Sequence, residues 1–153
     1  MQTLDIKIKK LHPDVLTPEY ASSGSAGFDL RAFFMDQSSI RLAAGARAKI
    51  PTGIQMVLPA GYELQIRPRS GLAFKYGISL TNSPGTIDCD YRGEIQILII
   101  NHGDEEFIIN HGDRIAQAVL APIYQASFTE INELPEEAEN TRLAGGFGST
   151  GVA

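Results

Sequence analysis

Hydrophobic and polar residues alternate with a period of two along several short stretches of the chain. Residues 4–9 and residues 62–67 place every second side chain on the same face, which is typical of strands with one face in solvent. Residues 54–58 form a third stretch of this kind, with Gly or Pro on either side. Residues 94–100 begin with alternation and end in an apolar run, so we expect that strand to be buried on both faces.

Clusters of turn-forming residues separate these stretches from three more predicted strands, at residues 26–32, 107–109 and 115–124. The chain has 15 Gly and 8 Pro in 153 residues, which favours short strands and turns over long helices. One helical turn is expected at residues 70–76, where Ser70 could act as the N-cap. The pattern therefore predicts an all-β fold, an antiparallel sandwich or jelly roll, with one short helix.

Length and composition limit the domain organisation and the classes of partner. A chain of 153 residues is expected to form one domain, with a β core over residues 1–129 followed by an acidic linker and a glycine-rich C-terminal arm over residues 130–153. The 13 basic and 18 acidic residues give a net charge of −5, which argues against binding to extended nucleic acid. The single cysteine excludes an internal disulfide. Because the N-terminus is not signal-like and no apolar run matches a membrane helix, we expect a cytoplasmic protein that binds no membrane.

Residues 68–73 (PRSGLA) follow a predicted strand and open the helical turn. Arg69 supplies a positive charge, Ser70 a hydroxyl group and Gly71 an unobstructed backbone, which together suit a bound anion. An ordinary turn with an exposed arginine explains the same residues equally well. The segment alone leaves the two interpretations even.

Residues 85–94 (GTIDCDYRGE) form a polar segment that we interpret as a hairpin. Asp88 and Asp90 point to the same face if the segment is extended, so one could act as a general base while the other orients a neighbouring group. The two aspartates could also be metal ligands or simple turn formers. Tyr91 could form the floor of a pocket or fill the core, and Cys89 is interpreted as a small buried residue.

Two further segments combine charge with apolar residues. In residues 26–32 (AGFDLRA), Asp29 and Arg31 would share one face of a strand, and we interpret them as a structural ion pair. In residues 112–117 (GDRIAQ), Gln117 could donate a hydrogen bond to a phosphate or to a neighbouring chain. The three histidines lie in predicted turns without metal-like spacing, and we expect all of them to be solvated: His12, His102 and His111.

The C-terminal segment, residues 142–151 (RLAGGFGSTG), has too few apolar residues to pack alone and is expected to be mobile in the free protein. A disordered tail is the simplest interpretation. However, Arg142 can bind phosphate oxygens and Phe147 can stack on a flat ring, so the segment could instead be a lid that becomes ordered on a nucleotide.

In their order and spacing, these five segments resemble the five signature motifs of the trimeric deoxyuridine triphosphatases: residues 26–32, 68–73, 85–94, 112–117 and 142–151. The resemblance implies a distorted antiparallel jelly-roll-like barrel with one short helix and a flexible C-terminal arm. It also implies a homotrimer with active sites at subunit interfaces. The implied reaction is hydrolysis of dUTP to dUMP and pyrophosphate, which limits uracil incorporation into DNA and supplies dUMP for thymidylate synthesis.

The resemblance also assigns roles in phosphate chemistry. Asp88 would be the general base that activates the attacking water, and Mg²⁺ would bridge the phosphates with Asp29 as an outer-sphere partner through water. Phosphate oxygens of a neighbouring chain's nucleotide would be bound by three residues of the second motif, Arg69, Ser70 and Gly71. Gln117 would contact the phosphates or the water around them.

Recognition of the nucleoside is implied in the same way. Backbone groups around Asn82, Thr86, Ile87 and Asp88 would read the uracil, and Tyr91 would lie under the deoxyribose and exclude a 2′-hydroxyl. Residues of the C-terminal arm would cover the base and clamp the phosphates: Arg142, Phe147, Gly148, Ser149 and Thr150. Two positions depart from or vary within the pattern. Cys89 stands where many relatives carry Ser, and position 96, where relatives vary, is Gln96, for which a substrate contact is expected.

Three alternatives remain at this level. A dCTP deaminase, alone or bifunctional, would use the same fold but release ammonia from cytosine. A jelly-roll trimer could bind nucleotides without turnover, or have a purely structural role. The complete C-terminal motif and the intact Asp88 favour the triphosphatase.

Overall fold

The computed structural model describes residues 3–133, which form eleven strands and one helix. The strands are β1 Lys7–Lys10, β2 Phe28–Arg31, β3 Ser39–Leu42, β4 Arg47–Pro51, β5 Ile54–Val57, β6 Tyr62–Arg67, β7 Ile78–Leu80, β8 Gly85–Ile87, β9 Gln96–Asn101, β10 Phe107–Asn110 and β11 Arg114–Pro122. The helix is α1, Ser70–Tyr76. The predicted mostly β fold with one short helix is therefore confirmed.

All strand pairs are antiparallel, and they form four small sheets. The largest has the order β2-β11-β6-β8, the next has the order β4-β9-β7, and β1-β5 and β10-β3 form two-stranded sheets. In the four-stranded sheet, Gln117 of β11 lies opposite Asp29 of β2 on one side and Arg67 of β6 on the other. This register brings residues from three distant segments to one end of the sheet.

The core is built from alternate side chains of the strands, chiefly isoleucine and leucine. Leu30, Ile50, Ile99 and Ile109 are completely buried. Asn101 is also completely buried, and its side chain donates hydrogen bonds to the Leu42 and Glu105 carbonyl oxygens and accepts one from Gly103 N–H. Because each buried polar group has a partner, Asn101 costs little desolvation energy at this position.

Two strand predictions need correction. The strand expected at residues 4–9 begins only at Lys7, where pairing with β5 starts. The strand expected at residues 94–100 begins at Gln96 and is buried on one face only: Ile97 and Ile99 are buried, whereas Leu98 is 38% exposed. An apolar run therefore did not indicate a strand covered on both sides. By contrast, β6 has the predicted bounds.

Helix α1 has the predicted bounds but not the predicted cap. Arg69 occupies the N-cap position with an extended backbone, no side chain caps the helix, and Ser70 is the first helical residue. The helix ends at Tyr76 and is capped by Gly77, which has φ 66° and donates its N–H to Ala73 O. A Cβ atom at Gly77 would lie 2.5 Å from Gly103 N, so both the backbone angle and the space favour glycine. Within residues 3–133, no helix is long and apolar enough to cross a bilayer.

Candidate functional site

Asp29, Arg69 and Arg114 form a hydrogen-bonded group at the β2 edge of the four-stranded sheet, which we call the arginine cluster. Asp29 Oδ1 accepts a hydrogen bond of 2.9 Å from Arg69 Nε, and Asp29 Oδ2 accepts one of 3.2 Å from Arg114 Nη1. Arg69 Nη1 also donates to the Arg114 carbonyl oxygen at 3.0 Å. Two guanidinium groups against one carboxylate leave a local excess of positive charge, which suits an anionic ligand.

The predicted ion pair between Asp29 and Arg31 is wrong. Arg31 Nη1 instead donates to the Gly112 carbonyl oxygen at 2.8 Å. The partners of Asp29 come from the segments after β6 and at the start of β11, which a local reading of residues 26–32 could not reveal. Arg114 is the residue that sequence reasoning missed, although it lies within the polar segment 112–117.

Gln117 connects the arginine cluster to the start of helix α1. Its Nε2 atom donates to the Pro68 carbonyl oxygen at 2.9 Å, and its Cα lies opposite that of Asp29. Ser70 and Gly71, the first two residues of helix α1, are exposed. A Cβ atom added at Gly71 would meet no other atom within 4 Å. Three of the polar segments, 26–32, 68–73 and 112–117, are thus brought together at one edge.

The residues expected to read the nucleoside lie around β8, at the other edge of the same sheet. Asn82 and Thr86 are exposed, and the Asn82 amide packs closely over Gly85: a Cβ added there would lie 3.0 Å from Asn82 Nδ2. Asp88 is exposed and directly follows β8, and its carbonyl oxygen accepts a hydrogen bond from Tyr91 N–H at 3.1 Å. We call residues 82–94 the β8 loop region.

The interpretation of residues 85–94 as a hairpin is wrong. β8 pairs with β6, whereas the next strand, β9, pairs with β4 and β7 in a different sheet. Residues 88–95 therefore cross from one sheet to the other without pairing to β8. This crossing leaves the Asp88 carboxylate and the Tyr91 ring exposed to solvent.

The arginine cluster and the β8 loop region are separated within the chain. β11 and β6 lie between β2, which carries Asp29, and β8, so these two edges are three strand spacings apart, about 14 Å along the sheet. Arg69 follows β6, the strand next to β8, so its separation from Asp88 lies along the strands. Asp88 is displaced further along the strand direction, because Ile87 lies opposite Leu64 rather than Arg67. A single chain therefore presents two separate polar groups.

Several other candidate residues have structural partners. Gln96 Nε2 donates to Glu94 Oε2 at 3.3 Å, and Cys89 is half-buried against the core.

Of the three histidines, only His102 is exposed as expected. His12 and His111 are half-buried, and the centres of their rings lie 5.5 and 5.1 Å from that of the Phe33 ring. Both rings are tilted against Phe33, and His111 Nδ1 also lies within hydrogen-bond distance of the Phe34 backbone, so these two histidines are only partly solvated.

Within residues 3–133, no three His, Cys, Asp or Glu side chains converge to hold a metal ion. Among the described residues, Asp88 and Asp90 thus have no third such side chain beside them. The five residues of the predicted C-terminal lid lie outside the described residues: Arg142, Phe147, Gly148, Ser149 and Thr150.

Comparisons with known proteins agree on one family. The family model described as dUTPase matches residues 14–151. The deoxyuridine 5′-triphosphate nucleotidohydrolase of Syntrophotalea carbinolica is 50% identical over 151 residues, 99% of each chain. The enzyme of the same name from Rhizobium rhizogenes is 56% identical over 135 residues, 88% of this chain and 85% of the relative.

Solved structures share the fold of this chain. A mutant of the Staphylococcus bacteriophage 80alpha dUTPase with dUpNHpp superposes with a TM-score of 0.85 and 25% sequence identity, covering 98% of this chain and 100% of the phage chain. A mutant dUTPase from phage phi11 of S. aureus, described with a coordinated structural Mg(II) ion, has a TM-score of 0.75 and 23% identity, covering 85% of this chain and 98% of that one.

Proposed function

The chain belongs to the dUTPase family and is a hydrolase that acts on dUTP, and we propose that it releases dUMP and pyrophosphate from sites shared between the subunits of a jelly-roll homotrimer. The observation that carries this proposal is the family match over residues 14–151, which includes all five polar segments. The separation of the arginine cluster from the β8 loop region supports shared sites, because each chain then offers two half-sites to its neighbours.

Asp88 is the proposed general base. Its exposed carboxylate removes a proton from a water molecule, whose oxygen forms a bond to the α-phosphorus of dUTP. The bond from the α-phosphorus to the bridging oxygen of the β-phosphate breaks, and pyrophosphate leaves with both bonding electrons. Asp88 follows the short strand β8 directly, and the bond from Tyr91 N–H to its carbonyl oxygen restrains its backbone.

The arginine cluster is proposed to bind the phosphates of a neighbouring chain's nucleotide. Arg69 provides positive charge, Ser70 a hydroxyl group and Gly71 an accessible backbone, while Gln117 reaches the phosphates or their water network. Asp29 fixes the orientation of the Arg69 guanidinium before substrate arrives, which reduces the entropy lost on binding.

The residues of this edge fit an outer-sphere role for Asp29 toward Mg²⁺. Each oxygen of the Asp29 carboxylate accepts one arginine hydrogen bond and keeps capacity for another, so it can accept a hydrogen bond from a metal-bound water. Mg²⁺ usually retains several waters and binds through substrate phosphates, which agrees with a site that lacks three converging ligands in residues 3–133. When bound, the ion neutralises charge on the phosphates and the leaving pyrophosphate.

The β8 loop region is proposed to select the nucleoside. Backbone groups near Asn82, Thr86 and Ile87 read the uracil edge, Tyr91 lies under the deoxyribose, and Gln96 supports this region through Glu94. The C-terminal residues Arg142, Phe147, Gly148, Ser149 and Thr150 are proposed to cover the base and clamp the phosphates. In the cytoplasm, this reaction would limit uracil incorporation into DNA and supply dUMP for thymidylate synthesis.

Nucleotide-resolved hydrolysis assays test the proposal. With Mg²⁺ present, pyrophosphate release from dUTP should far exceed that from dTTP, dCTP and UTP, and it should fall when the metal is chelated. Ammonia release from dCTP would favour a deaminase instead. Tight binding of dUTP without turnover would identify a nucleotide-binding protein rather than an enzyme.

A further inference from the structure

The aromatic ring of Tyr91 lies directly over the backbone of Gly93. A Cβ atom at position 93 would lie 2.5 Å from Tyr91 Cζ and 3.0 Å from Tyr91 Cε2, much closer than two carbon atoms can approach without strain. Tyr91 is 43% exposed, so burial in the core does not hold the ring in this orientation. The space left by the missing side chain of Gly93 is therefore needed for the observed position of the ring.

A hydrogen bond fixes the other end of the ring. The Tyr91 hydroxyl donates to the Glu94 carbonyl oxygen at 2.9 Å. Glu94 is itself anchored, because its Oε1 atom accepts a bond of 2.7 Å from Gly53 N–H. The following residue, Ile95, is held by Thr52 Oγ1 at 2.6 Å and by the Ile54 carbonyl oxygen at 2.8 Å. The acceptor for the tyrosine is thus anchored by hydrogen bonds beside the core residue Ile95.

We propose that Gly93 is a specificity-determining positioning residue: by leaving room for the Tyr91 ring against the Glu94 carbonyl, it sets the choice between deoxyribose and ribose. The inference rests on the proposed function, in which Tyr91 lies under the sugar. A ring that swings away from this position opens space for a 2′-hydroxyl and weakens discrimination against UTP. Gly93 acts through Tyr91 and has no proposed contact with substrate.

Replacing Gly93 with alanine tests the space and not the backbone. Gly93 is not among the described glycines with positive φ, so an alanine is compatible with its backbone conformation. The new methyl group would displace the exposed tyrosine ring, which is free to move toward solvent. Gly24→Ala is the matched control, because Gly24 is exposed, lacks positive φ and has nothing within 4 Å of an added Cβ.

The measurement is kcat/KM for dUTP and UTP with Mg²⁺, compared among the native protein and the two variants. In Gly93→Ala, the dUTP-to-UTP ratio should fall by about tenfold or more, with a larger change in KM than in kcat for dUTP. Gly24→Ala should keep the native ratio. A ratio for folded Gly93→Ala within about twofold of native would overturn the inference.

A double-mutant comparison tests whether Gly93 acts through Tyr91. In a Tyr91→Ala background, Gly93→Ala should change the ratio no further, because no ring remains to be displaced. A further fall of similar size would show an independent effect and overturn the inference.

If Gly93→Ala does not fold, Tyr91→Phe decides instead. It keeps the ring and removes only the bond to the Glu94 carbonyl, so the ratio should fall about two- to tenfold. An unchanged ratio would overturn the inference. If the native protein hydrolysed dUTP and UTP equally, both the sugar selection in the proposed function and this inference would be overturned. If the native enzyme and the variants were all equally selective for dUTP over UTP, only this inference would be overturned.

Discussion

Asp29 and Arg69, which are 40 residues apart in the sequence, are joined by a hydrogen bond of 2.9 Å between Oδ1 and Nε. The two side chains are 24% and 26% exposed, so water screens the pair only partly. The bond depends on the register of the four-stranded sheet, because Gln117 lies opposite Asp29 and also holds the Pro68 carbonyl oxygen next to Arg69. Asp29 therefore ties the start of helix α1 to strand β2.

Asp29→Asn should weaken both activity and stability. The amide retains only one oxygen acceptor for two guanidinium groups, so we expect a loss of about 1–3 kcal/mol in the free energy of unfolding. Because Arg69 would no longer be held in place, kcat/KM for dUTP should fall about 10- to 100-fold. Urea unfolding and steady-state assays check the two effects.

Glu106→Gln is the matched control for this change. Glu106 accepts a bond of 2.7 Å from Arg41, but the side chains are 44% and 71% exposed. A solvent-exposed pair is worth about 0–1 kcal/mol, so this variant should remain close to native in both measurements. If both variants behaved alike, the arginine cluster would be an ordinary surface contact.

Asp88→Asn should retain nucleotide binding and lose turnover. The amide preserves the size of the side chain but cannot accept the proton from water, so kcat should fall by about 10²–10⁴. Binding of the non-hydrolysable analogue dUpNHpp should be little changed. Asp104→Asn, at another exposed carboxylate in a turn, serves as the control. A collapse of kcat in Asp90→Asn with near-normal Asp88→Asn would assign the base to Asp90.

Deletion of residues 141–153 should impair catalysis without changing the mass of the assembly. The proposed roles of Arg142 and Phe147 in holding phosphate and base predict a higher KM and a lower kcat for dUTP. Light scattering reports the assembly mass and the hydrolysis assay reports the activity. A truncated protein that became monomeric would show that this segment holds the subunits together instead.

Local sequence patterns predicted most strands from the alternation of apolar and polar residues, and the helix from its flanking turn residues. Six residues of alternation sufficed for β6, and turn residues marked the bounds of α1. β3, β4 and β7, with four, five and three residues, were not predicted, although β2, β5 and β10, with four residues each, were. The length of a strand therefore does not by itself decide whether its pattern is recognised.

The composition of the site was more predictable than its contacts. The polar segments identified Asp29, Arg69 and Gln117 as candidates, but the partners of Asp29 depend on sheet register. Likewise, the packing of Tyr91 on Gly93 depends on how residues 88–95 cross between two sheets. Such contacts are set by tertiary structure, and no local pattern encodes them.

Asn101→Ala should destabilise the fold through loss of a buried polar network. The side chain satisfies the Leu42 and Glu105 carbonyl oxygens and Gly103 N–H at 2.8–2.9 Å. Leaving these groups without partners in the core should cost about 2–3 kcal/mol. Asn110→Ala, at an exposed residue of β10, should cost less than about 1 kcal/mol. Equal losses in urea unfolding would contradict the importance of the network.

Mixing two inactive variants should restore activity if each site uses Asp88 of one chain and Arg69 of another. Arg69→Gln disables the arginine cluster, and Asp88→Asn disables the β8 loop region of the same four-stranded sheet. After joint unfolding and refolding at equal amounts, one site in four would combine an intact Asp88 with an intact Arg69. Activity should therefore recover to about a quarter of the native value, whereas either variant refolded alone should stay inactive.

The pairing of variants makes this result specific to shared sites. Asp88→Asn mixed with Asp88→Ala should recover nothing, because every chain then lacks the same base. Arg69→Gln retains the Asp29–Arg114 bond, so loss of the fold is not expected to limit recovery. If the two residues instead served one site within a single chain, every mixed assembly would contain only defective sites. The absence of recovery in properly refolded mixtures would therefore place Asp88 and Arg69 in the same subunit's site.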